Sequence, residues 1–164
     1  MNTRDLARRI WQAGVAAVEG YAATQTALPD RAPDAVLAIG KAAAPMVRAA
    51  LDAYGDVPTL VVTKDDHGTD LPAHVQLIEA AHPVPDARSL EAGRALSRAV
   101  ADLPEGARLL LLVSGGASAL AEDPVPGETL DSLATLNRRL LAAGLDIAAM
   151  NAERRRVSRI KGGG

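Results

Sequence analysis

The chain has 164 residues, 23% of them charged, and a formal net charge of −2, which argues against a polyanion-binding surface and against a disordered chain. No apolar run approaches the ~20 residues needed to span a bilayer, and the absence of cysteine excludes disulfides and thiolate metal sites. The length suits one domain with a real core, but aromatic residues are only 2% and Phe is absent, so Leu, Val, Ile and abundant Ala must build it.

Residues 4–24 carry Leu6, Ile10, Ala13, Ala17 and Tyr21 at helical spacing and predict one amphipathic stretch; no secretory apolar region precedes it. After a Pro-rich loop, Ala35–Ile39 predicts a short apolar strand ended by Gly40-Lys41. Residues 42–54 repeat with helical period, and Pro45 is tolerated in the first turn, where N–H groups lack intrahelical partners. Strands are expected at 59–63 and 75–80, separated by the polar turn Lys64-Asp-Asp-His-Gly68. His82-Pro-Val-Pro-Asp86 is too stiff for a helix, and Asp86 is placed to cap one running from 87 to 101. The run Arg108-Leu-Leu-Leu-Leu-Val113 predicts a strand buried on both faces, breaking into Ser114-Gly115-Gly116 and a helical turn at Ala117-Ser118-Ala119. Residues 129–143 and 146–157 then predict two helices, the first stopped by Gly144 and the second ending in Arg154-Arg-Arg156. This order implies an α/β fold, a Rossmann-like three-layer sandwich with a mostly parallel sheet, in which strands 35–39 and 108–113 lie side by side.

In a parallel sheet the carboxyl ends of strands share one edge. Gly40-Lys41 and Ser114-Gly115-Gly116 would then share a cleft suited to a phosphoryl group, which needs positioning and positive field. The turn reads two ways, as an anion cradle or as a tight βα connection whose glycines serve only geometry. Only three of the 18 basic residues are lysines, Lys41, Lys64 and Lys161, each beside a strand end or a glycine cluster. Lys64 reads equally as a cleft contributor or as a solvated charge, and His82 as a cleft residue or as a structural histidine. The run from Arg154 to Lys161 is a solvated helix end, a nucleic-acid surface or the far wall of a phosphate cleft. The acidic balance and the lack of interleaved aromatics disfavour nucleic acid. Neither Gly-x-Gly-x-x-Gly nor Gly-x-x-x-x-Gly-Lys-Ser/Thr occurs, the three histidines lack metal-ligand spacing, and Ser114 has no Gly-x-Ser-x-Gly elbow.

Ile39-Gly-Lys-Ala42, His82-Pro-Val-Pro-Asp86, Ser114-Gly-Gly-Ala-Ser-Ala-Leu120, Leu140-Leu-Ala-Ala-Gly144, Asn151, Arg154 and Ser158-Arg-Ile-Lys-Gly-Gly163 fall in the order seen in glycerate 2-kinases. The resemblance is to the enzymes whose carboxy-terminal part is called the MOFRL domain, many of them labelled hydroxypyruvate reductase, and it covers essentially the whole chain. It implies a cytoplasmic, ATP- and Mg2+-dependent kinase that phosphorylates the 2-hydroxyl of D-glycerate to 2-phosphoglycerate, with no membrane or nucleic-acid partner. It also implies that residues 1–164 are an incomplete amino-terminal kinase domain, inactive alone, because the MOFRL domain that walls the other side of the cleft is missing.

By the same resemblance Lys41 is the catalytic lysine, while Ser114, Gly115, Gly116, Ala117, Ser118, Asn151, Arg154, Lys161, Gly162 and Gly163 bind phosphate or substrate. Gly40, Lys64, His82 and Asp86 are further cleft candidates, and no metal ligand is identified. Glu153-Arg-Arg-Arg156 stands where many members have Val-Arg-Lys-His, so only Arg154 carries over there. The alternatives are a nicotinamide-dependent hydroxypyruvate reductase and a non-enzymatic anion-binding module. The terminal Lys161 and its glycines are expected to be frayed, with nothing beyond them to hold their register.

Overall fold

A computed structural model describes residues 2–162. Its frame is a sheet of four parallel strands, β1 (Ala35–Ile39), β2 (Thr59–Lys64), β3 (Gln76–Ala80) and β4 (Leu109–Val113), in the order β3-β2-β1-β4. The expected neighbours pair directly, from Ala35 with Leu109 to Ile39 with Val113. The chain adds strands outward from β1 to β3 and then returns past β1 to place β4, so the strand order reverses between β1 and β4.

Among the described residues seven helices accompany the sheet: α1 (Thr3–Ala17), α2 (Gly20–Gln25), α3 (Ala43–Tyr54), α4 (Ala87–Ala101), α5 (Ala117–Leu120), α6 (Leu130–Ala142) and α7 (Ile147–Arg156). Alternation along the strands divides the core between two faces. Val36, Ala38, Val61 and Leu112 pack with Ala43, Val47 and Ala50 of α3. Leu37, Leu60, Val62, Ile78 and Ala80 pack with Ala92 and Ala95 of α4 and with Leu120. The α/β three-layer expectation is therefore borne out. Glu79 Oε1 accepts the Gly68 N–H at 2.9 Å and the His67 N–H at 3.2 Å, so an irregular crossover between β2 and β3 is pinned to the second of them.

Two expectations are corrected. The helical stretch from 4 to 24 is two helices, because the Glu19 carboxylate accepts the Tyr21 and Ala22 N–H groups at 3.1 and 2.9 Å and starts α2 afresh. None of the α1 residues is buried, so its apolar stripe faces no partner among the described residues. Strand β4 is not buried on both faces: it is the sheet edge, and Leu111 and Val113 are each 56% exposed. The α3 side covers Leu110 and Leu112, whereas on the other side α4 and α5 pack over β1 and β2 and leave Leu109, Leu111 and Val113 lining an open cavity.

Candidate functional site at the β1–β4 crevice

The two turns that follow β1 and β4 are sewn together by short bonds. Ser114 N–H donates to Ile39 O at 2.9 Å, Lys41 N–H to Gly115 O at 2.9 Å, and Ala42 N–H to the Ser114 hydroxyl oxygen at 3.0 Å. Gly40 completes the junction: its N–H reaches Val62 O at 3.0 Å, and its carbonyl accepts from Thr63 Oγ1 at 2.9 Å. With φ of +127° and Ser114 Oγ only 2.2 Å from where a Cβ would stand, this position admits no side chain. Gly116 has φ of +96°, and a Cβ there would lie 3.1 Å from Lys41 Cγ and 3.2 Å from His82 Nε2. The Lys41 stem and the His82 ring therefore flank the second glycine of the turn. The His82–Pro83 peptide is cis.

This cluster joins Lys41, His82, Gly40, Ser114, Gly115 and Gly116 from three loops at a strand-order reversal, where open α/β sheets offer their crevice. The Ser114 oxygen already accepts one bond, but its proton is free to point at a ligand. The four-residue α5 is too short to carry much of a macrodipole, so an anion here would depend on individual N–H groups and Lys41.

The remaining candidates form a second group. Ala117, Ser118, Asn151, Arg154, Lys161 and Gly162 line a cavity of about 870 Å³, whose opposite wall is Leu37, Ile39, Leu109, Leu111 and Val113. Arg154 Nε donates to Asn137 Oδ1 at 2.9 Å and Nη1 to Asn151 Oδ1 at 3.5 Å, so its hydrogen bonds go to amides, while its charge also acts on the Glu122 carboxylate. The expectation of a frayed Lys161 is corrected. Its side chain is 13% exposed, and the ammonium pairs with Glu122, itself 5% exposed. Burial raises the Glu122 carboxyl above its ordinary range and lowers the Lys161 ammonium, each opposed by attraction to the other. Gly163 lies outside the described residues.

Two candidates stand apart. Lys64 ends β2, half-buried, and its charge acts on the adjacent Asp65. Asp86 caps α4, accepting from Arg88 N–H at 3.0 Å and Ser89 N–H at 3.2 Å, while Arg88 bridges it to Asp65. Both functions of Asp86 are structural. Sequence reasoning passed over Glu122 and Asp123 and took Arg159 only as part of the basic run; the available signal was two adjacent acids between an apolar run and Pro124. Among the described residues no group of three or more His, Asp or Glu is placed to hold a metal ion, and no helix is long and apolar enough to cross a membrane.

A three-layer α/β domain with a lysine and a glycine turn meeting at its switch point is thus defined by fold and site. The chain belongs to the family described as Domain of unknown function (DUF4147), which residues 6–164 match. It is 36% identical, over 99% of its length, to an Agrobacterium vitis protein provisionally named hydroxypyruvate reductase, and spans 38% of that relative. It is 35% identical over 98% of its length to the D-glycerate 2-kinase of Thermotoga maritima, of which it spans 39%. A solved structure from Pyrococcus horikoshii OT3 superposes on 99% of the chain with a TM-score of 0.83 at 30% identity, 40% of that protein being covered. The crystal structure of a Thermotoga maritima glycerate kinase does so over 90%, with a TM-score of 0.74 at 34% identity, 39% of it being covered. The chain therefore spans about two fifths of the length of these relatives.

Proposed function

We propose that this chain is the amino-terminal part of an ATP-dependent glycerate 2-kinase, transferring the γ-phosphoryl group to the 2-hydroxyl of D-glycerate. The observation that carries the reading is the meeting of Lys41 with the Ser114–Gly116 turn across the β1–β4 crevice. In this reading the Lys41 ammonium neutralises charge spreading over the transferring group, and the turn fixes that group through backbone N–H donors. The Ser114 hydroxyl donates to a phosphate or glycerate oxygen while its own oxygen stays bonded to Ala42 N–H. His82, beside Gly116, completes the polar wall. Magnesium would be held outside the described residues or through the nucleotide's own phosphates, and no step here is assigned to it. The domain that closes the crevice would come from the MOFRL part of the complete protein.

The second reading, a nicotinamide-dependent hydroxypyruvate reductase, is favoured by the name of the Agrobacterium vitis relative. Against it, the first βα turn has Gly40 but Ala42 and Pro45 where the second and third dinucleotide glycines would stand, and two N–H groups that would face a pyrophosphate, those of Lys41 and Ala42, are already bonded to Gly115 and Ser114. A coupled assay on the full-length protein separates the readings. Glycerate-dependent ADP release is expected; NADH oxidation with hydroxypyruvate and no ADP would overturn the proposal.

A further inference from the structure

Glu122 and Asp123 are carboxylates with side chains only 5% and 6% exposed, and such groups persist as ions only with close cationic partners. Both find theirs on one short segment after α7: Glu122 pairs with Lys161, and Asp123 Oδ1 with Arg159 Nη2 at 2.5 Å. Backbone bonds reinforce the pairing, Arg159 N–H to Asp123 O at 2.7 Å and Val125 N–H to Val157 O at 3.1 Å, around an antiparallel bridge between Pro124 and Ser158. The acidic strand is itself anchored to α4. Glu122 N–H donates to Ser89 O at 2.9 Å, and Gly93 approaches so closely that a Cβ would lie 2.1 Å from Glu122 O.

We propose that Glu122 and Asp123 are positioning residues that clamp residues 157–162 against the crevice, with Lys161 serving as the cation of the clamp rather than as a ligand contact. The clamp fixes Gly162 under α7, where a Cβ would stand 2.1 Å from Arg155 Cδ, and so sets the basic face of that helix over the cavity. Lys161 is engaged in a salt bridge with Glu122, whereas Arg154 hydrogen-bonds to amide oxygens and lines the cavity, where its charge faces any bound anion as well as acting on Glu122. Burial pushes the Glu122 carboxyl and the Lys161 ammonium each toward its neutral form, and their mutual attraction opposes this, with the Arg154 charge also favouring the Glu122 carboxylate. The proposal deepens the kinase reading and rests on it only for the ligand.

The experiment compares full-length wild type with Lys161→Met, Glu122→Gln/Lys161→Met and Arg154→Gln by thermal melting and by calorimetric titration with ATP. Lys161→Met, which leaves a buried carboxylate unpaired, is expected to lower the melting point and weaken ATP about tenfold or more. The double variant removes both charges and is expected to recover the melting point and to return ATP affinity to within about threefold of wild type. Arg154→Gln is expected to lose affinity with little change in melting. A double variant that melts normally yet binds ATP as poorly as Lys161→Met would overturn the proposal, since Lys161 would then touch the ligand. So would a Lys161→Met protein indistinguishable from wild type. If wild type binds no ATP, the kinase reading falls and the clamp is judged on hydrogen exchange at Val125 and Arg159. Lys161→Met must speed that exchange and the double variant must slow it again; failure of either change overturns the clamp.

Discussion

Replacing Gly40 with Ala tests whether the two turns are as tightly joined as their hydrogen bonds indicate. The new Cβ would stand 2.2 Å from Ser114 Oγ and 2.5 Å from Ser114 O, and backbone cannot swing aside as a flexible side chain would. A non-glycine residue at this positive φ costs about 1–2 kcal/mol, and overpacking a closed site adds about 1–3 kcal/mol. For a chain of this size each kcal/mol shifts melting by about 2–4 °C. Gly144→Ala, with φ of +63° in the left-handed well and nothing within 4 Å of its Cβ, is the control for a positive-φ glycine without a clash, the φ of +127° at Gly40 lying outside that well. Differential scanning calorimetry should therefore find Gly40→Ala melting below Gly144→Ala by about 2–12 °C or more, the clash with Ser114 added to the harsher backbone angle. Gly40→Ala should also weaken catalysis in the full-length protein, because the Ser114 turn must move away from Lys41. A Gly40→Ala protein melting no lower than Gly144→Ala would refute the close approach of β1 and β4 at their carboxyl ends.

Lys41→Ala should lower kcat by about 100-fold or more, the scale of losing one preorganised electrostatic donor, with Lys64→Ala costing clearly less; equal small losses in steady-state kinetics would return both lysines to surface charges. The hydrogen bonds from Arg88 hold the Asp65 carboxyl below its ordinary range, and hold Asp86 below it too although burial acts upward there. Folded values below the unfolded ones mean that these contacts contribute stability above the ordinary carboxylate range and lose it as pH falls through the folded values. Wild type should therefore melt above Arg88→Gln by a margin that narrows from about pH 5 to about pH 2, and a margin that is constant with pH would contradict the assignment. Residues 1–164 alone, once shown to be folded, should release ADP at less than about a tenth of the full-length rate, since an open half-site leaves water among the reacting groups; turnover above that would mean the site is complete within them.

Strands β1, β2 and β4 were legible because short apolar runs ending in turn residues leave few alternatives, and β1 beside β4 was what a shared cleft required. The same run misled about β4. Leu109–Val113 reports a preference for burial on both faces, but no residue in it says whether a neighbour covers Leu111 and Val113. The break between α1 and α2 was hidden because Glu is an uncommon cap, and its role depends on a carboxylate folding back onto Tyr21 and Ala22. Lys41 and the Ser114 turn were found through strand-end position, a local signal. The Glu122–Lys161 pair joins residues 39 apart in sequence, so it depends on tertiary placement that no periodicity encodes.

The alanine-rich seam of α3 gives the crevice unequal walls. Ala43, Ala44, Ala49 and Ala50 are at most 1% exposed, so the helix that begins just after Lys41 packs closely, and Val47, Met46, Leu51 and Tyr54 add further contacts with the sheet core. The opposite side rests on fewer anchors, Leu133 and Leu140 in α6 and Met150 in α7. Lys41 thus belongs to a jaw held by a continuous core, and Arg154 to one held chiefly by the Glu122 and Asp123 ion pairs. If the crevice narrows around a ligand, α6, held by Leu133 and Leu140, is the element with the fewest ties, since α7 runs into the segment held by Glu122 and Asp123; substitutions at Leu133 or Leu140 should then alter the rate of closure while leaving the register of Lys41 untouched.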